Sequence, residues 1–432
     1  MTADAATTPE ERVLRRTESP CPVCKNVIKA RIVEVDGAVR MRKVCPEHGA
    51  FDLPMFRDAS FYEAVLEKVG PSPTTPDRTR DLSDFGPLRG ICLDLTQRCN
   101  LHCTNCFANA NIDLKSDLTV EQVMAAVNKF PKRAPVVFLQ GGEPTLHPKL
   151  PEIIEALVKR GCVPKLVTNG LALNSAEKVR QLRDAGLDWV FLQFDGFDDN
   201  VYEAFRGKRL LDKKRKTLSL LDEAGFSILL AVMIAKGYNL DELGAILNLA
   251  FDTPSVRQVS FLPAANIGRA ELESAEGEDE FAGRTEPLDV IEKMEQATDG
   301  GVGRDDFLQF FTIAKVLFRT TGNPDYKPKT CFYPMILYRD KGRIFALNRL
   351  LNPLTAMHHP AAPLSALRLA GRLGRLDNAP PDPNMLWLCI EHFRELPSLD
   401  IDDARHCNKV FLDETGRFVQ SCIYNNLYRG KR

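Results

Sequence analysis

Leu95-Thr96-Gln97-Arg98-Cys99-Asn100-Leu101-His102-Cys103-Thr104-Asn105-Cys106 sets three thiols on one short loop, with three and then two residues between them. It follows the apolar run Ile91 to Leu95, which reads as a buried strand. Thiolates are the usual ligands of iron–sulfur clusters, and a cubane holds four irons, so three cysteines leave one iron without a protein ligand. An open iron can bind a substrate. A zinc site or buried structural cysteines would satisfy the same spacing, so the residues downstream decide between these readings.

Working outward, apolar runs alternate with helical patterns. Strands are expected at Ile91 to Leu95, Val136 to Gln140, Lys165 to Thr168, Trp189 to Asp195, Ile228 to Ile234 and Gln258 to Pro263. Amphipathic helices are expected at Thr119 to Phe130, Leu150 to Lys159, Ala176 to Ala185 and Leu240 to Leu249. This alternation belongs to the α/β class and suits a partial (β/α)6 barrel over residues 87–302. Parallel barrels build their sites at the carboxyl ends of strands. There stand Gln140-Gly141-Gly142-Glu143-Pro144-Thr145, Thr168-Asn169-Gly170 and Gln193-Phe194-Asp195-Gly196. Gly141 and Gly142 permit close backbone approach, and the Glu143 carboxylate can accept from an ammonium group. A plain strand-to-helix turn would use the same residues. Met233 and Pro263 end the fifth and sixth strands, where either a cofactor contact or simple core packing fits them.

The ends of the chain carry the other cysteines. Residues 1–18 are polar and aperiodic, and read as a disordered lead-in. Residues 19–70 contain Cys21-Pro22-Val23-Cys24 and Cys45-Pro46-Glu47-His48, two knuckles suited to one tetrahedral zinc or iron on Cys21, Cys24, Cys45 and His48. A unit this small needs such a staple. Residues 71–86 are proline-rich and read as a linker. From 303 to 432 the rhythm breaks after a helix at Asp305 to Arg319, giving a separate C-terminal region. Its Cys331, Cys389, Cys407 and Cys422 would suffice for an auxiliary cluster, although free cysteine is also commonly buried. Cys92 and Cys162 have no ligand-like neighbours and are assigned to the core. Leu364, Leu367, Leu373 and Leu376, interspersed with Arg368, Arg372 and Arg375, would either lie on a membrane surface or pack on the protein.

Composition removes several functions. Lys plus Arg number 57 against 58 Asp plus Glu, so no overall field draws in nucleic acid. No apolar run reaches membrane-spanning length and no secretory leader is evident, which predicts a cytoplasmic protein, at most peripheral to the membrane. Twelve cysteines in that setting suit metals better than disulfides.

The three-cysteine loop, the Gly-Gly-Glu turn and the later strand ends together resemble the radical S-adenosylmethionine superfamily. The chain departs from that pattern by having Asn105, not an aromatic residue, before the third cysteine. The resemblance implies that Cys99, Cys103 and Cys106 are the catalytic cluster ligands, and that the open iron chelates S-adenosylmethionine. It implies cofactor contacts from Gly141, Gly142, Glu143, Thr168, Asn169, Gln193, Asp195, Met233 and Pro263. A reductant such as flavodoxin or ferredoxin would supply the electron that releases a 5′-deoxyadenosyl radical, which abstracts hydrogen from an unactivated carbon.

The knuckles, Phe107-Ala108-Asn109-Ala110, Gly268-Arg269 and the closing Ser421-Cys422-Ile423-Tyr424-Asn425-Asn426-Leu427-Tyr428-Arg429 resemble one branch, that of tetraether lipid synthases and pterin methyltransferase-like proteins. This branch implies a rubredoxin- or zinc-ribbon-like domain, an auxiliary [4Fe-4S] cluster and, first among substrates, a lipid chain to be coupled or modified. A peptide or a pterin-like small molecule is the alternative. A non-enzymatic multi-centre electron carrier would also use three cysteine groups, but would not need the Gly-Gly-Glu turn.

Overall fold

A computed structural model describes residues 11–70, 90–114, 116–129, 136–269, 281, 283–320, 328–351, 382–407, 409–413 and 416–429. The linker at 71–86, the leucine–arginine stripe at 364–376 and residues 1–10 of the expected lead-in lie outside them. Residues 12–18 correct that lead-in. They belong to strand β1 (Arg12–Pro20), which pairs antiparallel with β2 (Val27–Val35). An edge strand that draws its order from a partner need not show an apolar rhythm of its own. Strands β3 (Ala38–Cys45) and β4 (Gly49–Phe56) complete a four-stranded meander. Helix α1 (Ala59–Val69) covers it, started by the Asp58 side chain accepting from the Phe61 N–H. Ile32, Val39, Met41, Met55, Phe56 and Tyr62 form a separate small core there.

All six expected barrel strands are present. They are β5 (Gly90–Thr96), β6 (Val136–Gly141), β7 (Val163–Thr168), β8 (Trp189–Gln193), β9 (Ser227–Ile234) and β10 (Val256–Pro263), parallel and in sequence order. Helices α2 (Val120–Asn128), α3 (Leu150–Lys159), α4 (Ala176–Asp184), α5 (Asp199–Arg206), α6 (Leu211–Glu223) and α7 (Leu243–Asp252) link them. Helices α8 (Pro287–Ala297) and α9 (Arg304–Thr320) follow.

The region after residue 303 is not separate, because it extends the same sheet. Strands β11 (Phe332–Asp340), β12 (Arg343–Ala346), β13 (Met385–Glu391), β14 (Lys409–Leu412) and β15 (Phe418–Gln420) all join it. β13 runs parallel to β10 at one edge and β14 parallel to β5 at the other, giving eight consecutive parallel strands. Lys409 at the start of β14 donates to the Glu391 carboxylate at the end of β13 (2.6 Å), so an ion pair spans the gap between the two edges.

Burial alternates along these strands in a telling way. Residues facing the helices, such as Leu93, Leu139, Leu166, Leu192 and Leu230, are buried in the main core. Most of the opposite positions, among them Asp94, Phe138, Gln140, Lys165, Trp189, Phe191, Gln193, Gln258 and Glu391, keep partial exposure. A closed barrel fills its interior with side chains. Here solvent reaches many of the inward side chains, so the interior is not packed solid.

The N-terminal unit touches the barrel through Glu286, whose carboxylate accepts from the Arg57 N–H at the start of α8. Burial pushes this carboxyl up to about 7, with the Arg57 N–H pulling the other way. A folded pKa above the unfolded one means that stability is full below the unfolded value and is lost as pH rises to about 7. Urea unfolding should therefore show a loss of up to about 3 kcal/mol between pH 5 and pH 7.5 from this group. Glu286→Gln should remove that part of the slope; an unchanged slope would contradict it.

Candidate functional site

The cysteine loop is held by backbone. The Gly142 N–H donates to the Thr96 carbonyl and the Glu143 N–H to the Arg98 carbonyl, each at 2.7 Å. No side chain fits between the two segments: a Cβ on Gly142 would lie 2.2 Å from the Arg98 oxygen, and one on Gly141 2.3 Å from the Thr96 oxygen. Both glycines are therefore needed to dock the turn after β6 onto the loop after β5. The far end of the loop is clamped in the same way. A Cβ on Gly268 would meet the Cys106 oxygen at 2.4 Å, and the Arg269 N–H donates to that oxygen at 3.0 Å. The Arg269 guanidinium donates to the Cys103 and Ala110 carbonyls and to the Asn109 side chain.

Cys99, Cys103 and Cys106 are all partly exposed on this loop. Burial pushes the Cys99 thiol up to about 12, so a bound metal would have to drive its deprotonation. Glu143 is 1% exposed. Its carboxylate accepts from the Thr168 hydroxyl (2.6 Å), the Asn169 N–H (2.7 Å) and Thr145, tying the ends of β6 and β7 together. The Asn169 side chain reaches Asn100 and faces the Cys99 sulfur.

Beside this stands a buried charged network. Asp195 is fully buried and takes both nitrogens of a fork from Arg206 (2.7 and 2.8 Å), the Gln193 amide and the Met233 N–H. Arg206 also meets the Cys103 sulfur. Lys214 is fully buried on α6 and donates to the Asn169 carbonyl and to Gln193. Burial pulls its ammonium down to about 7, against the attraction of Asp195. Of the expected cofactor residues, Gly141, Gly142, Glu143, Thr168, Asn169, Gln193 and Asp195 thus lie in one hydrogen-bonded system with the loop. Met233 enters it through its backbone and packs its side chain with Val201, Phe205 and Ala264. Pro263 is buried at the end of β10 beside Ile234. Arg206, Lys214 and Arg269 were not among the expected contacts, and only the Gly268-Arg269 pair stood out in the sequence.

The N-terminal donors also converge. Cys21, Cys24, Cys45 and His48 have ligand atoms within 4.8 Å of one another, with Cys24 and Cys45 sulfurs 3.8 Å apart and the His48 Nδ1 3.5 Å from Cys45. Among the described residues no other set of three such donors is this close. The set fits a single tetrahedral ion.

The C-terminal cysteines divide. Burial pushes Cys422 up to about 12, with Cys407 its strongest charged neighbour, and Cys331 in turn feels Cys422. Cys389 instead faces into the barrel from β13, its sulfur 3.2 Å from the Ser260 hydroxyl and 3.3 Å from the Gln258 amide. Four cysteines around one auxiliary cluster is therefore not the arrangement observed. Cys162 packs in the main core and Cys92 against Phe411 and Tyr424.

Residues 93–250 match the Radical SAM superfamily, and residues 13–57 match the HMPTM N-terminal zinc ribbon domain. Over 96% of its length the chain is similar, at 28% identity, to the 7,8-dihydro-6-hydroxymethylpterin dimethyltransferase of Methanocaldococcus jannaschii, covering 94% of that protein. The Fe-coproporphyrin III synthase of Methanosarcina barkeri is 29% identical over 41% of this chain, which spans 45% of that relative. Streptococcus suis SuiB bound to S-adenosylmethionine superposes at a TM-score of 0.40, with 15% identity, over 50% of this chain and 49% of that one.

Gly142→Ala should push the cysteine loop off its dock, and iron content after anaerobic reconstitution should fall by about four per chain. Wild-type iron in that variant would contradict the docking role. Cys45→Ser should cost about one zinc or iron per chain by elemental analysis while leaving the loop's iron in place.

Proposed function

Because the chain belongs to the radical SAM superfamily and is an enzyme, we propose that it uses S-adenosylmethionine to modify a polar nitrogen heterocycle of the pterin type. The observation that carries this is the inward face of the barrel. Asp94, Gln140, Gln193, Gln258, Ser260, Glu391 and Lys409 alternate there with Phe138, Phe191 and Trp189. Such a wall suits a flat molecule with many hydrogen-bonding edges. A lipid chain, the substrate first expected from the sequence, would offer this polar wall no hydrogen bond. The relative that this chain matches over 94% of its length acts, by its name, on a dihydropterin, which supports the same reading.

The protein's part is to hold and orient. Cys99, Cys103 and Cys106 fit a [4Fe-4S] cluster, since the glycine dock and the Arg269 clamp fix the loop and Arg206 brings positive charge to Cys103. Bound there, the cluster supplies the electron that cleaves the sulfonium of S-adenosylmethionine. Glu143 presents a buried carboxylate to the cofactor's ammonium end, held in place by Thr168 and Asn169. Arg206 sets fixed positive charge beside the same mouth, where the cofactor's carboxylate is favoured, and Lys214 holds the Asn169 carbonyl and Gln193 in place.

Cys331 and Cys422 lie near Arg394, and Cys407 near Cys422; Arg394 is 5% exposed, bonds Thr330 and His392, and leaves its Nε without a partner among the described residues. Buried positive charge of this kind suits an anionic thiolate cluster, so an auxiliary centre on these three cysteines is part of the proposal. The N-terminal site, as a single zinc or iron, is structural.

With reductant and S-adenosylmethionine under anaerobic conditions, the reconstituted enzyme should form 5′-deoxyadenosine. Replacing Cys99, Cys103 and Cys106 together with alanine should abolish this and spare the N-terminal metal. Adding a dihydropterin should give a product of altered mass. Cofactor cleavage that proceeds while a dihydropterin remains unmodified and a lipid is consumed would overturn the substrate assignment.

A further inference from the structure

We propose that Glu391 is the specificity-determining carboxylate of the barrel cavity, accepting the paired N–H edge of a planar cyclic amidine or guanidine. This rests on the heterocycle reading above. The inward carboxylates differ in what they have left to give. Asp94 is taken at both oxygens by Arg429 (2.8 and 3.2 Å). Asp195 is taken at both by Arg206, and Glu143, bonded by Thr145, Thr168 and Asn169, is the carboxylate assigned above to the cofactor's ammonium. Glu391 has one strong partner, Lys409 on Oε2 at 2.6 Å. Among the described residues its Oε1 has only the Ser260 hydroxyl at 3.5 Å and the Cys389 sulfur at 3.7 Å, both too long to satisfy a carboxylate oxygen.

Its surroundings suit a flat ring. Glu391 ends β13, at the same end of the parallel sheet as the cysteine loop, and its side chain is 17% exposed. The Lys409 ammonium lies 5.7 Å over the Phe138 ring, which meets Phe191 edge-on at 5.4 Å. Oε1 and the remaining lone pair of Oε2, beside that aromatic pair, match the two parallel N–H groups of an amidine edge and a stacked ring. Lys409 bonds Oε2 without filling Oε1.

The test is equilibrium binding of 7,8-dihydro-6-hydroxymethylpterin to the anaerobic, cluster-loaded full chain, for wild type, Glu391→Gln and Glu391→Asp. S-adenosylmethionine binding is measured on the same samples. Gln keeps the shape but loses charge and one acceptor, so pterin affinity should fall about tenfold or more while Asp retains part of it. Equal pterin affinity in wild type and Glu391→Gln would overturn the assignment and leave the heterocycle reading standing. Equal losses of pterin and S-adenosylmethionine affinity would reduce Glu391 to a barrel-closing residue and overturn it too. No pterin binding by wild type would overturn the substrate reading and this inference with it.

Discussion

Two backbone hydrogen bonds, from Gly142 to Thr96 and from Glu143 to Arg98, set where the three thiols stand. They form only because Gly141 and Gly142 carry no side chain at the point of approach. Everything nearer the chemistry inherits that contact. Glu143 is aimed by it, Thr168 and Asn169 are tied to Glu143, and Lys214 and Gln193 are tied in turn to Asn169 and Asp195. The loop is thus one edge of a rigid polar network spanning the ends of four strands, as a site needing fixed geometry requires.

A second constraint comes from the sheet's two ends. The strands contributed after residue 303 lengthen the arc at both edges and leave a gap bridged by a side-chain ion pair. Eight parallel strands set an interior of a width that side chains can fill or that can hold one small ligand. The closing segment adds one more polar wall. Arg429 reaches Asp94 with its guanidinium against Phe107, Phe411 and Tyr424, so the chain's end packs next to the cysteine loop.

What could be read in advance follows from how local each signal is. The six barrel strands and their helices announce themselves through runs of apolar residues broken at regular intervals, and the cysteine spacing is complete within twelve residues. β13 and β14 were hidden because their partners β10 and β5 are far away in sequence and each strand is short. Lys214 is the sharpest case. It sits in Leu211-Asp212-Lys213-Lys214-Arg215-Lys216, where nothing distinguishes it from the neighbouring cations, yet it is fully buried. β1 was lost for the opposite reason, since its order comes from β2 and its own pattern is polar. Cys389 counted as a ligand by residue type alone; strand register turns it toward Ser260 and away from the other C-terminal thiols.

The central claim is that the loop's cluster keeps one iron free for the amino-acid end of S-adenosylmethionine. Pulsed electron–nuclear double resonance on the reduced enzyme, with 15N in the amino group and 17O in the carboxylate of the bound cofactor, addresses it directly. Coupling of both nuclei to the cluster spin is the expected result. A cubane spectrum that shows no coupling to either label at saturating cofactor would contradict it.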